Sequence, residues 1–215
     1  MMDIKTFVCN PYEENCFIIN KKASKKAIII DPGCTSGEEQ DRVNSYLAEN
    51  KLEPEAILLT HAHKDHIHGV ADLQKRYGIP VYMHPLERPE LKFESKGIED
   101  GEVLELADMK IEVIFTPGHT PGGVCYLLRD EKVMFTGDTL FAGTIGRTDL
   151  PGGDYDKLIV SIMDKLMGLD GDIEIFPGHA ASSDIAEERT HNPFLQPFNE
   201  PEEDYLSALD AVDQN

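Results

Sequence analysis

The heptapeptide Thr60-His61-Ala62-His63-Lys64-Asp65-His66 constrains this chain more than any other stretch. Its four potential metal ligands directly follow Ala56-Ile57-Leu58-Leu59, an apolar run that reads as a buried strand. His61 and His63 are two residues apart, so extended chain places them on one face, whereas a helix would point them nearly opposite ways. The pattern therefore specifies a loop site at a strand's end and differs from the i, i+4 histidines of a helical H-E-x-x-H. An extended segment that then turns can present His61 and His63 to one ion, and Asp65 and His66 to a second.

Three later segments repeat the arrangement of a ligand just past an apolar strand. His119 lies in Phe115-Thr116-Pro117-Gly118-His119-Thr120-Pro121-Gly122, Asp138 in Phe135-Thr136-Gly137-Asp138-Thr139, and His179 in Phe176-Pro177-Gly178-His179. Prolines and glycines suit a fixed side chain with close backbone approach. Each alone fits a hydrogen-bonded structural residue; together with the heptapeptide they predict convergence on one sheet edge.

The remaining sequence supplies the frame. Strands are expected at Phe7-Val8, Phe17 to Ile19, Ala27 to Ile30 and Val81 to Met83, with a turn at Pro11 to Asn15. Further strands are expected at Val103-Leu104, Lys110 to Phe115, Val124 to Leu128, Lys132 to Phe135 and Ile173 to Phe176. Helices are expected over Glu38 to Glu49, Gly69 to Tyr77 and Asp156 to Met167, the last with an apolar stripe of Leu158, Ile159, Ile162, Met163 and Leu166. Leu86 to Gly101 reads as a long surface connection with one helical turn, and the acidic end from Glu200 as a short helix around Tyr205, Leu206 and Leu209 or a frayed tail. At 215 residues and without a low-complexity linker, the order fits a single α/β domain spanning 1–215, two sheets inside helical layers.

Composition narrows the function classes. A formal net charge of -20 repels nucleic acid, and two dications would offset only about four units of it. Met1-Met2-Asp3-Ile4-Lys5 enters a strand-like segment without a leader pattern, and no apolar run reaches the roughly 18 residues a membrane span needs. The expectation is a cytoplasmic protein without membrane or nucleic-acid partners, monomeric or homodimeric. Cys9, Cys16, Cys34 and Cys125 form no C-x-x-C pair and read as buried free thiols, as in a reducing compartment.

The order H-x-H-x-D-H, then P-G-H-T-P-G, G-D-T and P-G-H, resembles the metallo-β-lactamase fold superfamily. The segments Gly146 to Asp154, Ser161 to Leu166 and Glu188 to Gln196 narrow the likeness to short, single-domain bacterial glyoxalase II-like hydrolases, the hydroxyacylglutathione hydrolase family. The resemblance implies a four-layer αββα sandwich. It implies that His61, His63 and His119 hold one metal and that Asp65, His66 and His179 hold another, with Asp138 bridging. The ions would be two divalent cations, zinc first, with iron or manganese as alternatives. The reaction implied is hydrolysis of a small-molecule thioester by a metal-bridging hydroxide, S-lactoylglutathione or a related acyl-thiol being the candidate by kinship. Asp65 is the candidate for proton transfer.

Other residues carry weaker expectations. Asp31, in Ile30-Asp31-Pro32-Gly33, resembles the family's carboxylate behind a metal histidine, although an Asx-Pro turn fits equally well. Arg147 and Asp149 line a substrate mouth or form an ion pair within a tight loop. His68 belongs to the metal site's surroundings or to a helix surface, while His84 and His191 read as structural. Relatives often continue Gly-Pro after the last histidine, where this chain has Ala180-Ala181-Ser182-Ser183. The helical domain that supplies glutathione contacts in two-domain glyoxalase II enzymes has no counterpart in the short stretch after Pro193. Two other functions compete: a mononuclear iron persulfide dioxygenase using His61, His119 and Asp138, and a metal-binding module without turnover. The likeness to lactamases themselves is weaker.

Overall fold

A computed structural model describes residues 2–87, 91 and 93–196. The acidic tail expected from Glu200 lies outside the described residues. Two six-stranded sheets form the centre. The first has the order β1 (Met2–Cys9), β2 (Glu14–Lys21), β3 (Lys26–Ile30), β4 (Glu53–Leu58), β5 (Val81–Met83), β6 (Lys96–Gly97). In the second, β7 (Val103–Leu106), β8 (Met109–Phe115), β9 (Val124–Leu128) and β10 (Val133–Gly137) are followed by β13 (Glu174–Pro177) and β14 (Ser183–Asp184). A small hairpin, β11 (Leu140–Phe141) and β12 (Thr144–Ile145), stands beside them.

Alternation along the strands shows why the molecule has four layers. In β2, Cys16 and Ile18 face one core while Phe17 and Ile19 face another. β3 divides Ala27 and Ile29 from Ile28 and Ile30 in the same way. In the second sheet, Tyr126 and Phe135 join the core between the sheets, whereas Leu127 and Met134 turn to a third. A strand buried on both faces reads as a continuous apolar run, as these do. The outer layers are α1 (Gly37–Glu49) and α3 (Val70–Tyr77) on the first sheet, with α4 (Tyr155–Ser161) and α5 (Ile185–His191) on the second. This is the expected αββα sandwich.

Local chemistry sets the helix ends. Ser36 caps α1 in a reciprocal capping box with Glu39, a device worth about 1 kcal/mol. Gly78 ends α3 in the left-handed conformation, φ 66°. The long helix expected over Asp156 to Met167 is α4 followed by a π-helical stretch, Ile162–Leu166, with the apolar stripe kept inward. The helical turn expected after Leu86 is a 3₁₀ turn at Pro85–Glu87, and the short strand β6, which was not expected, pairs parallel with β5. The first turn is shorter than expected, because Glu14 and Asn15 already belong to β2. All four cysteines are free and buried. Among the described residues, no helix is long and apolar enough to cross a membrane.

Candidate metal centre

Five strand ends deliver the site. β3 ends at Asp31, β4 leads into Thr60 and His61, β8 into His119, β10 into Asp138, and β13 into His179. The parallel pairs β3–β4 and β10–β13 put these ends on one rim. The two sheets are joined there by the Val124 N–H donating to Thr60 O at 2.9 Å and the Asn15 N–H donating to Gly178 O at 2.7 Å. The heptapeptide is extended through His63 and then turns into a single helical turn, α2 (Lys64–Ile67). That turn, where the sequence alone read a loop, brings Asp65 and His66 to His179, while the His66 ring stays against His61 with centroids 4.1 Å apart.

Two groups of ligand atoms result. His61 Nε2 and His119 Nε2 lie 3.1 and 2.9 Å from His63 Nδ1, and Asp138 Oδ2 lies 3.4 Å from His119 Nε2. In the second group, His66 Nε2 and Asp65 Oδ2 each lie 3.3 Å from His179 Nε2. Ligand atoms within each group are no more than 4.8 Å apart. Asp138 faces both groups, with Oδ1 3.4 Å from His66 Nε2, and Oδ2 3.4 Å from His119 Nε2 and 3.7 Å from His179 Nε2. Gly178 makes the approach feasible: a Cβ there would sit 2.4 Å from Asp138 Oδ1 and 2.6 Å from His66 Cε1.

The outer hydrogen bonds fix which imidazole nitrogen is free. A carbonyl oxygen only accepts, so His119 Nδ1, 2.7 Å from Arg147 O, and His179 Nδ1, 2.9 Å from Tyr12 O, carry protons. His66 Nδ1 donates to Asp31 Oδ2 at 3.0 Å. Thr60 Oγ1 gives its proton to Asp31 Oδ2 at 2.5 Å and so accepts from His61 Nδ1 at 3.1 Å. Four Nε2 lone pairs therefore point inward. His63 Nδ1 can donate to at most one of the two lone pairs that face it, which leaves lone pair against lone pair at hydrogen-bond distance. Asp138 Oδ1 is buried without a hydrogen-bond partner. Such a set lacks only cations, and its imidazole and carboxylate donors suit divalent transition metals.

The electrostatics express the same demand. Burial alone would raise the Asp138 carboxyl, but the imidazoles of His66, His61 and His119 outweigh it and hold it far below the usual carboxylate range. Burial, reinforced by the neighbouring His66, pushes His61 well below an ordinary histidine. For His66 burial acts the same way but loses to Asp138 and Asp31, so its basicity is well raised. His179 is raised as well, its burial outweighed by Asp65 and Asp138.

All seven residues that the resemblance named as ligands meet here, and Asp31 stands behind His66 and Thr60. Arg147 and Asp149 form an exposed ion pair, Nε to Oδ1 2.7 Å; Arg147 serves the site through its backbone carbonyl. His68 is on the surface and bonds to Lys64 O; His84 stacks on Phe115 and His191 pairs with Glu187. Sequence reasoning missed Glu87. Its buried carboxylate accepts from the Ala62 N–H at 2.8 Å and the Gly122 N–H at 2.7 Å, tying the His61-Ala62-His63 segment to the His119 loop. It also missed Glu14, wholly buried with both oxygens unpartnered, 4.0 Å from His66 Nδ1. A lone glutamate in a polar stretch carries no signal of either fate.

Comparison with known proteins agrees with this geometry. The chain is 37% identical over 208 residues to the probable metallo-hydrolase YqgX of Bacillus subtilis, covering 88% of this chain and 95% of the relative. It is 36% identical over 214 residues to the hydroxyacylglutathione hydrolase GloC of Haemophilus influenzae, covering 90% and 98%. Among solved structures, BLEG-1 B3 metallo-beta-lactamase superposes with a TM-score of 0.82 at 34% identity, over 91% of this chain and 99% of that one. TTHA1623 in a di-iron-bound form gives 0.79 at 31% identity, over 89% and 100%. The model of the metallo-beta-lactamase superfamily matches residues 9–179, from the end of β1 to the last histidine of the site. With fold, donor set and sequence in agreement, the chain belongs to the metallo-beta-lactamase superfamily, whose fold binds divalent metals.

Proposed function

We propose that this protein is a dinuclear metal-dependent hydrolase that cleaves a thioester in the manner of glyoxalase II. One observation carries the reading: two groups of ligand atoms share a single carboxylate, Asp138, which lies 3.4 Å from His119 Nε2 in one group and 3.4 Å from His66 Nε2 in the other. His61, His63 and His119 would hold one ion, and Asp65, His66 and His179 the other. Zinc is the first candidate. The di-iron form of TTHA1623 and the donor set keep iron and manganese in play. Bound divalent cations supply a Lewis acid and a water whose pKa falls from 15.7 to about 7.

The chain's own residues do the rest. Asp31, Arg147 O and Tyr12 O orient His66, His119 and His179, so that the inward nitrogens stay unprotonated. Asp65 Oδ2, half-buried beside His179, is placed to accept the proton that the attacking water gives up. Water adds to the acyl carbon, the carbon–sulfur bond breaks, and the thiolate departs with little need of a general acid. The relation to GloC makes S-lactoylglutathione the first substrate to try.

The test is elemental analysis of purified protein joined to turnover of a thioester panel, with and without chelator. The expected result is two ions per chain and chelator-sensitive thiol release. Oxygen uptake with glutathione persulfide at one iron per chain would replace this reading with the dioxygenase. Hydrolysis of β-lactams in preference to thioesters would move it toward the activity named for BLEG-1. Two bound metals without any turnover would leave a binding module.

A further inference from the structure

A groove of about 400 Å³ opens beside His63. Its apolar lining comes from Ala62, Ile67, Leu86, Leu91, Pro121 and Pro151. Leu86 is 58% exposed although it is a large aliphatic side chain, so it covers no core of its own. Among the described residues, two charged ones, Glu87 and Lys64, line the groove. Glu87 is internally satisfied, both carboxylate oxygens being taken by the Ala62 and Gly122 amides. Lys64 is exposed at the rim and pairs with no carboxylate among the described residues. Arg147 is held by Asp149 and does not line the groove.

We propose that this groove receives the thiol arm of the thioester, and that the arm it selects is apolar and carries a single anionic group, met by Lys64. The inference rests on the hydrolase reading and turns its substrate class away from glutathione thioesters, the first substrates that kinship suggests. Apolar walls reward methylenes, whereas a tripeptide thiol with two carboxylates and an ammonium would leave most of its charges unmatched along them. A chain with net charge -20 makes an unpaired lysine the local exception that draws an anion in.

The experiment compares metal-loaded wild-type protein, Lys64→Gln and Leu86→Asp on acetyl, butyryl and hexanoyl thioesters. The series is acetyl thioesters and their butyryl and hexanoyl counterparts on linear thiols of two, four and six carbons, each thiol ending in a neutral group or in one carboxylate, with the glutathione thioesters as reference. KM should fall by up to about threefold per methylene of the thiol until the groove is filled. The wild type should favour the monoanionic series over the neutral one by about threefold to fivefold, as an exposed ion pair allows. Lys64→Gln should erase that preference, and Leu86→Asp should flatten the chain-length dependence. A KM indifferent to thiol chain length, or a preference for glutathione thioesters that survives both substitutions, overturns the proposal and leaves the hydrolase reading standing. If no thioester turns over, the hydrolase reading falls by itself. Calorimetric binding of non-hydrolysable thioether analogues then decides the groove: tighter binding with chain length and anion, lost in the two variants, supports it, and no such trend sinks it.

Discussion

His66 Nδ1 donates to Asp31 Oδ2 over 3.0 Å, and both side chains are withdrawn from solvent. The same carboxylate takes the backbone N–H of Thr60 at 2.8 Å and the Thr60 hydroxyl. One buried anion thus orients a member of each ligand group, His66 directly and His61 through Thr60. Asp31 occupies the left-handed region, φ 44°, which costs an aspartate less than most residues.

Asp31→Asn keeps the backbone conformation accessible and retains one acceptor but loses the charge. Metal affinity should fall by about 10- to 100-fold, the usual effect of removing the partner of a ligating histidine. Chelator competition measures it. An unchanged affinity would mean that the histidines are oriented without Asp31.

Glu87→Ala leaves two amides, those of Ala62 and Gly122, facing a space the carboxylate filled. Each buried orphan costs about 1–3 kcal/mol, so denaturant unfolding should show a loss of several kcal/mol. Glu87→Gln keeps the shape and should recover part of that loss. Equal stability of the three proteins would show that water replaces the carboxylate freely.

Gly178→Ala puts a methyl where Asp138 Oδ1 and His66 Cε1 now lie. Because the obstruction is at the shared carboxylate, metal stoichiometry should drop while the fold, followed by circular dichroism, persists. Two tightly bound ions in this variant would show that Asp138 has room to step aside.

Away from the metal centre, Asp100 pairs with Lys165 at 2.7 Å and accepts the Phe115 N–H at 2.7 Å. Burial raises its carboxyl, but the lysine and the amide outweigh it and hold the folded value below the ordinary one. A depressed folded pKa gives stability that is present above the unfolded value, about 3.9, and is lost as pH falls through the folded value. The stability gap between wild type and Asp100→Asn should therefore be full near neutrality and shrink below about pH 4. A gap constant through that range would remove the ion pair from acid sensitivity.

The ligands were legible because each demands a distinct local signal. His61, His63 and His66 crowd one heptapeptide; His119, Asp138 and His179 each follow an apolar strand and lie beside a glycine that admits close approach. The doubly buried strands were legible for the same reason, as β2 and β3 carry apolar residues at successive positions. Helix α5 and the short strand β14 were not, because Ser183 to Glu188 shows no strong period: Asp184 acts as a cap only once its side chain meets the Glu187 N–H. The π-helical stretch was also hidden, since its inward residues fit the ordinary helical stripe equally well.

The amino-acid order by itself determined the donor types, their sequence of appearance and the two-sheet alternation, since each is a property of neighbours along the chain. Tertiary structure alone decided that Asp138 lies between the two groups, that Glu87 joins two loops, and that Lys64 lines an apolar groove with no carboxylate paired to it among the described residues. Those facts depend on where distant strands end relative to one another, and parallel pairing and sheet packing set that position through contacts no short window of sequence contains.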